Sequence, residues 1–160
     1  MIAAFVLALA APSGAPAATV AALEDRQAIE ALFYAYGRAV DAQDFAAVSR
    51  LFARDGEWSG AGGGATGPAA IEAFLNRTLS PAVIGKWQGD FHLVGPMRID
   101  LAGDRATAEV RWIFSSPQAG RAQMMFAGHY DDRLVREDGQ WRFARRLVTA
   151  DIAPRPVTAK

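Results

Sequence analysis

The hydrophobic period of this sequence changes once, near its middle, and that change narrows the folds open to it. In the first half the apolar residues keep helical spacing. Ile29, Leu32, Phe33, Tyr36 and Val40 give one apolar face to a helix over Leu23–Asp41. Asp44 is placed to cap a second, short helix that carries Phe45, Val48, Leu51 and Phe52. Gly60 to Gly67 is rich in Gly and Ala and reads as a mobile loop. Pro68 suits the first position of a third helix, with Ile71, Phe74 and Leu75 on one face and Ser80-Pro81 as its stop.

The second half alternates. Ala106, Ala108, Val110, Trp112 and Phe114 share one parity of a strand. Met124, Phe126, Gly128 and Tyr130 share one parity of the next, and Trp141, Phe143, Arg145 and Leu147 share one parity of the last. Gly103-Asp104, Pro117 to Gly120 and Asp138-Gly139 supply the turns. An earlier strand over about Phe91–Leu101 is interrupted at Gly95-Pro96, as at a bulge. A short strand around Glu57-Trp58 is expected at an edge. Helices followed by a long antiparallel meander make an α+β domain. A curved sheet with helices on its concave face leaves a pocket between the layers.

Composition closes off several functions. The 160 residues fit one domain, with 51% apolar and 21% charged residues, enough for a true core. Seventeen basic and 17 acidic residues cancel, so the chain lacks the positive field of a nucleic-acid binder. There is no Cys, which excludes disulfides, thiolate metal sites and a cysteine nucleophile. Of the 2 histidines, His92 and His129, neither belongs to a metal-binding motif, and no metal or cofactor is expected. Gly62-Gly63-Gly64 has no Lys-Ser/Thr after it and is not a phosphate loop. Serine-hydrolase and zinc-protease motifs are missing as well.

The amino terminus reads as a secretory signal. Ile2 to Ala11 is apolar and uncharged, Pro12-Ser13-Gly14 breaks it, and Ala15-Pro16-Ala17 offers small residues for cleavage after Ala17. The run is too short to span a bilayer, which takes about 20 apolar residues. Residues 1–17 are thus expected to be removed, leaving a periplasmic or secreted domain over 18–160 with no membrane attachment.

A set of spaced residues resembles the SnoaL-like group of the nuclear transport factor 2-like superfamily. It opens with Asp25-Arg26-x-x-Ile29, Tyr36-x-x-x-x-Asp41-x-x-Asp44 and Leu51-Phe52-Ala53-x-Asp55-Gly56-x-Trp58. Gly67-Pro68-x-x-Ile71 and Phe91-His92-Leu93 come next. Gly128-x-Tyr130-x-Asp132-Arg133-Leu134 and Asp138-Gly139-x-Trp141-x-Phe143 close it. The resemblance covers about residues 23–152 and implies a cone-shaped α+β fold. Within the superfamily the spacing looks closest to scytalone dehydratase and hexachlorocyclohexane dehydrochlorinase, whose Asp–His base serves an elimination. Asp41 and His92 match that pair. Gly95 stands where the family often has Asn. Ser59-Gly60 stands where steroid isomerases of this fold carry a carboxylate, which disfavours their mechanism. The resemblance also implies a small-molecule substrate and a possible homodimer through the sheet.

Each candidate has a second, purely structural reading. Asp41 is either the partner that fixes the tautomer of His92 or a cap beside the turn at Asp44. His92 is either a general base or a core histidine satisfied by backbone. Gly37, one turn before Asp41, leaves room for a ligand or an imidazole. Tyr36 is either a donor to a substrate oxygen or a core aromatic, while Tyr34 points elsewhere. Phe33, Trp58, Phe126 and Tyr130 suit a pocket wall or an ordinary core, as do Phe74, Met97, Trp112 and Met124. Arg145 shares the inward parity and is either an anchor for an anionic group or a solvated strand residue, given Arg142 and Arg146 beside it. His129 is expected on the outer face. The residues thus point to a cofactor-free lyase of dehydratase type or an isomerase acting on a small apolar substrate. The alternative is a non-catalytic ligand-binding or dimeric scaffold domain. A protein-interaction module would need an apolar outer face, and Arg98, Asp100, Glu109 and Arg111 predict a charged one.

Overall fold

A computed structural model describes residues 15–84, 88–118 and 120–153. The apolar run Ile2–Ala11 and its break at 12–14 lie outside the described residues. Helix α1 (Ala15–Asp41) spans the proposed cleavage point and continues through the expected helix. Helix α2 (Phe45–Ser49) starts where Asp44 accepts from the backbone N–H of Ala47 at 2.8 Å, as its cap position requires. Strand β1 (Phe52–Gly60), strand β2 (Gly63–Thr66), helix α3 (Pro68–Leu79) and the short helix α4 (Pro81–Ile84) come after it. The rest of the described chain is β3 (Phe91–Ala102), β4 (Arg105–Gln118), β5 (Arg121–Glu137) and β6 (Gln140–Ile152).

The six strands form one sheet in the order β2-β1-β6-β5-β4-β3. Strands β3 to β6 make the expected antiparallel meander. Two expectations for the middle of the chain are corrected. The Glu57-Trp58 strand is interior, antiparallel to β2 and parallel to β6, so the sheet is mixed. The Gly-rich stretch is no simple loop: residues 63–66 form the edge strand β2. Its pairing with β1 supplies backbone partners that a composition reading could not foresee.

Bulges decide which side chains face the helices. Gly95-Pro96 interrupts the β3–β4 register, as the sequence suggests. On β5 the register slips between Phe114↔Phe126 and Ser115↔Met124, leaving Met125 extra. On β6 it slips between Leu134↔Phe143 and Arg133↔Arg145, leaving Ala144 extra. Each extra residue inverts the facing parity of its strand from one side of the bulge to the other. Met124 is therefore exposed rather than inward. The β5–β6 turn needs left-handed backbone at Asp138 (φ 52°) and Gly139 (φ 75°), the hairpin pair that Asp-Gly favours.

α1 packs on β3 and β6. Its inward residues Ile29, Leu32, Phe33, Tyr36 and Val40 are all buried, while Tyr34 is exposed. Phe52, Val110, Leu134, Trp141 and Phe143 complete the core from the sheet, and Ile71, Phe74 and Leu75 from α3. Gly37 marks the close approach of α1 to β3, since a Cβ there would lie 3.4 Å from Val94. The room it makes is taken by Val94 and not by an imidazole.

Candidate functional site

Between the helices and the sheet lies a cavity of about 380 Å³. Tyr36 and Val40 from α1, Leu79 from α3 and Ile84 from α4 line it from the helices, and Trp58 lines it from β1 of the sheet. The sheet adds His92, Trp112, Phe114, Phe126, Tyr130 and Val148. Strand alternation and register explain this set. His92, Phe114 and Phe126 stand in one inward row across β3, β4 and β5, and Tyr130 and Val148 pair across β5 and β6. The wall is aromatic and nearly apolar. Among the described lining residues, His92 is the one that carries an imidazole, able to accept or donate a proton at its ring nitrogens.

The sequence-distant Asp41 and His92 meet here. Asp41 ends α1, and β3 begins beside it. Asp41 Oδ1 lies 2.6 Å from His92 Nδ1, and the Asp41 carboxylate also accepts from the backbone N–H of His92 at 2.9 and 3.1 Å. The three contacts fix ring and backbone together. An ionised carboxylate only accepts, so the neutral imidazole carries its hydrogen on Nδ1. The side chains are mostly shielded, 12% exposed for His92 and 23% for Asp41. The His92 ring is tilted against Phe114, with centroids 4.8 Å apart, and lies 6.0 Å from the Trp112 centroid.

Tyr36 and Trp58 also meet: Trp58 Nε1–H donates to Tyr36 Oη at 2.9 Å, out of solvent. Burial pushes the Tyr36 hydroxyl above its ordinary pKa, opposed by the Arg146 cation and by the Trp58 donor. Tyr130 is pushed up as well, again chiefly by burial. Tyr130 stacks on Trp112 at 5.7 Å and meets Tyr36 edge to face at 5.8 Å. Gly128 allows this packing, because a Cβ there would lie 2.9 Å from the Trp112 ring and would collide with the carbonyl oxygen of Thr149.

Two of the expected pocket residues lie elsewhere. Phe33 is buried in the core outside the cavity's lining, edge to face with Phe143. Arg145 is on the opposite face of the sheet, 41% exposed and 3.9 Å from Glu57, in a groove with Asp100 and Arg133. The Ala144 bulge is the reason: it turns Arg145 out and Arg146 in. His129 lies on the outer face as expected, between Asp151 at 2.8 Å and Asp131 at 3.4 Å.

The sequence reading missed Asp132 and Arg146. Both are fully buried, and the guanidinium grips the carboxylate with two bonds of 2.9 Å. Burial pushes the Asp132 carboxyl up against the pull of the cation beside it. Desolvation works against the Arg146 cation, and the paired carboxylate outweighs it. The Arg146 carbon Cζ lies 4.0 Å from the Tyr36 ring centre, 4.2 Å from Tyr130 and 3.9 Å from Phe143. Arg146 Nη1 is buried with no hydrogen-bond partner among the described residues. Asp132 carried a signal, since it shares the parity of Phe126, Gly128 and Tyr130. Arg146 carried none that survives the bulge. Among the described residues no group of three or more His, Asp or Glu is placed to hold a metal ion.

Comparison with known proteins gives a consistent lineage. The model of the family described as "SnoaL-like domain" matches residues 21–147. An uncharacterised protein of Mycobacterium tuberculosis is 30% identical over 135 residues, covering 82% of this chain and 88% of that one. Among solved structures, a nuclear transport factor 2-like protein with a cystatin-like fold from Novosphingobium aromaticivorans superposes with a TM-score of 0.77 at 28% identity. It covers 92% of this chain and 94% of its own. A second protein of that organism, provisionally assigned as a scytalone dehydratase, superposes with a TM-score of 0.69 at 24% identity over 89% and 99%.

Proposed function

The chain belongs to the SnoaL-like domain family, and from that membership and the site's geometry we propose that it is a cofactor-free lyase or isomerase whose base is His92. The observation that carries the reading is the 2.6 Å contact between Asp41 and His92 Nδ1 at the wall of an apolar cavity. With Nδ1–H directed at the carboxylate, Nε2 is the basic nitrogen of the neutral ring. It removes a proton from carbon, and Asp41 stabilises the imidazolium that forms. In an elimination the electron pair left on carbon expels a leaving group, and the proton stays on Nε2. In an isomerisation the same proton returns to a different carbon. Tyr36 O–H donates to the oxygen on which charge develops. An apolar wall keeps water from competing for that charge. The structural kinship to the protein assigned as a scytalone dehydratase supports the fold; the chemistry rests on the pair.

A ketone with acidic α-hydrogens tests this without knowledge of the natural substrate. In heavy water, 2-tetralone should exchange its α-hydrogens faster with the protein than without it. D41N and H92Q should each slow that exchange by about 10²–10⁴-fold, the worth of a positioned base, while binding of the ketone persists. Binding with no faster exchange, or exchange indifferent to both substitutions, would favour the ligand-binding scaffold instead.

We carry two further readings as proposals. The apolar run before Pro12 exports the chain, which amino-terminal sequencing of the protein from the periplasm or medium would check as a start near Ala18. The outer face, where Arg98 pairs with Asp100 and Arg111 with Glu109, is the face for a homodimer, which light scattering would check.

A further inference from the structure

The Asp132–Arg146 pair takes no part in the base chemistry, yet it costs the fold a great deal to keep. Two ions taken wholly out of water lose several kcal/mol of hydration each. A hydrophobic pair of similar volume would serve the core as well. Its position gives it another use. Asp132, Arg146 and Trp58 stand in one inward row across β5, β6 and β1. The guanidinium plane is boxed by Tyr36, Tyr130 and Phe143. Tyr36, Tyr130 and Trp58 are three of the cavity's wall residues. The Tyr36 oxygen accepts from Trp58, and its hydroxyl keeps a hydrogen that it can donate to an acceptor oxygen of a ligand. A cation 4.0 Å from the phenol ring centre draws charge from the ring and makes that hydrogen a better donor.

We propose that Arg146, held by Asp132, is a positioning residue that acts through Tyr36, so that the cavity selects cyclic ligands bearing an acceptor oxygen over hydrocarbons of the same shape. The proposal rests on the reading of this cavity as the substrate site and adds a second polar arm to it. The Asp41–His92 arm removes a proton, and the Asp132–Arg146–Tyr36 arm holds the oxygen.

Binding of 2-tetralone and of tetrahydronaphthalene, the same skeleton without the carbonyl, measured by protein-observed NMR, tests the proposal. Wild type should prefer the ketone. In the charge-neutral pair D132L/R146M that preference should fall about 3- to 10-fold, the worth of one hydrogen bond. R146K should lower it too, because lysine keeps the charge but loses the planar fork and stack; it decides the matter if the double variant does not fold. A purely structural role would weaken both ligands alike and leave the ratio unchanged, which overturns the proposal. So does a wild type that binds the ketone no better than the hydrocarbon, or binds neither. Failure of the base assignment is read separately, from deuterium exchange in D41N and H92Q.

Discussion

Arg146 and Asp132 set the sharpest expectations at the scale of single residues. Truncating one member of a buried pair strands the other charge. R146M alone should therefore lose about 3–5 kcal/mol of unfolding free energy, and D132L/R146M should recover most of it; urea denaturation measures both. Trp58 offers a milder case. W58F removes the N–H that Tyr36 Oη accepts and should cost about 0.5–1.5 kcal/mol. Single residues were also where sequence reading was strongest. Asp41 and His92 were visible as candidates because their types and order match a family pattern. Their contact was not visible, because only the β3 start brings His92 back to the end of α1.

At the scale of elements, an ionic clasp ties the first half of α1 to the β5–β6 hairpin. Arg136 Nη2 lies 2.5 Å from Asp25 Oδ1, Trp141 Nε1–H donates to the same oxygen at 3.1 Å, and Arg136 Nε reaches Asp104 at 2.9 Å. The Arg136 guanidinium, and then the Trp141 donor, hold the Asp25 carboxyl below the usual carboxylate range. Its unfolded form binds a proton first as pH falls. The clasp's contribution is complete above about pH 4, the ordinary carboxylate pKa, and is lost as pH falls through Asp25's own lower ionisation. D25N should flatten that acid-side loss in thermal unfolding and leave the slope near neutral pH unchanged. Elements show equally well what sequence could not give. Helix ends were readable from Asp44, Pro68 and Ser80, whose effects are local. Strand faces were not. Met125 and Ala144 look like ordinary strand residues, and only the partner strand's register makes them bulges. One such residue exchanged the roles of Arg145 and Arg146.

At the scale of the whole molecule, the described residues combine a six-stranded sheet with an apolar cavity under its helices. That plan was legible from the single change of hydrophobic period, since amphipathic helices and a half-buried sheet have few ways to cover each other. The parallel pairing of β1 with β6 was not, because pairing between distant strands leaves no trace in local pattern. The cavity's shape depends on close approaches as much as on its wall. Gly128 lets the Trp112 and Tyr130 rings stack at the cavity wall, and G128A would force a Cβ against the Thr149 carbonyl oxygen. It should destabilise by about 1–3 kcal/mol, as overpacking does, and should weaken 2-tetralone binding in the fraction that folds.

The most direct test of the central claim is the tautomer of His92, read from long-range proton–nitrogen NMR spectra at alkaline pH in wild type and D41N. A base oriented by Asp41 requires the hydrogen on Nδ1 and a bare Nε2 in wild type, with loss of that preference in D41N. A ring that carries its hydrogen on Nε2 in both proteins contradicts it.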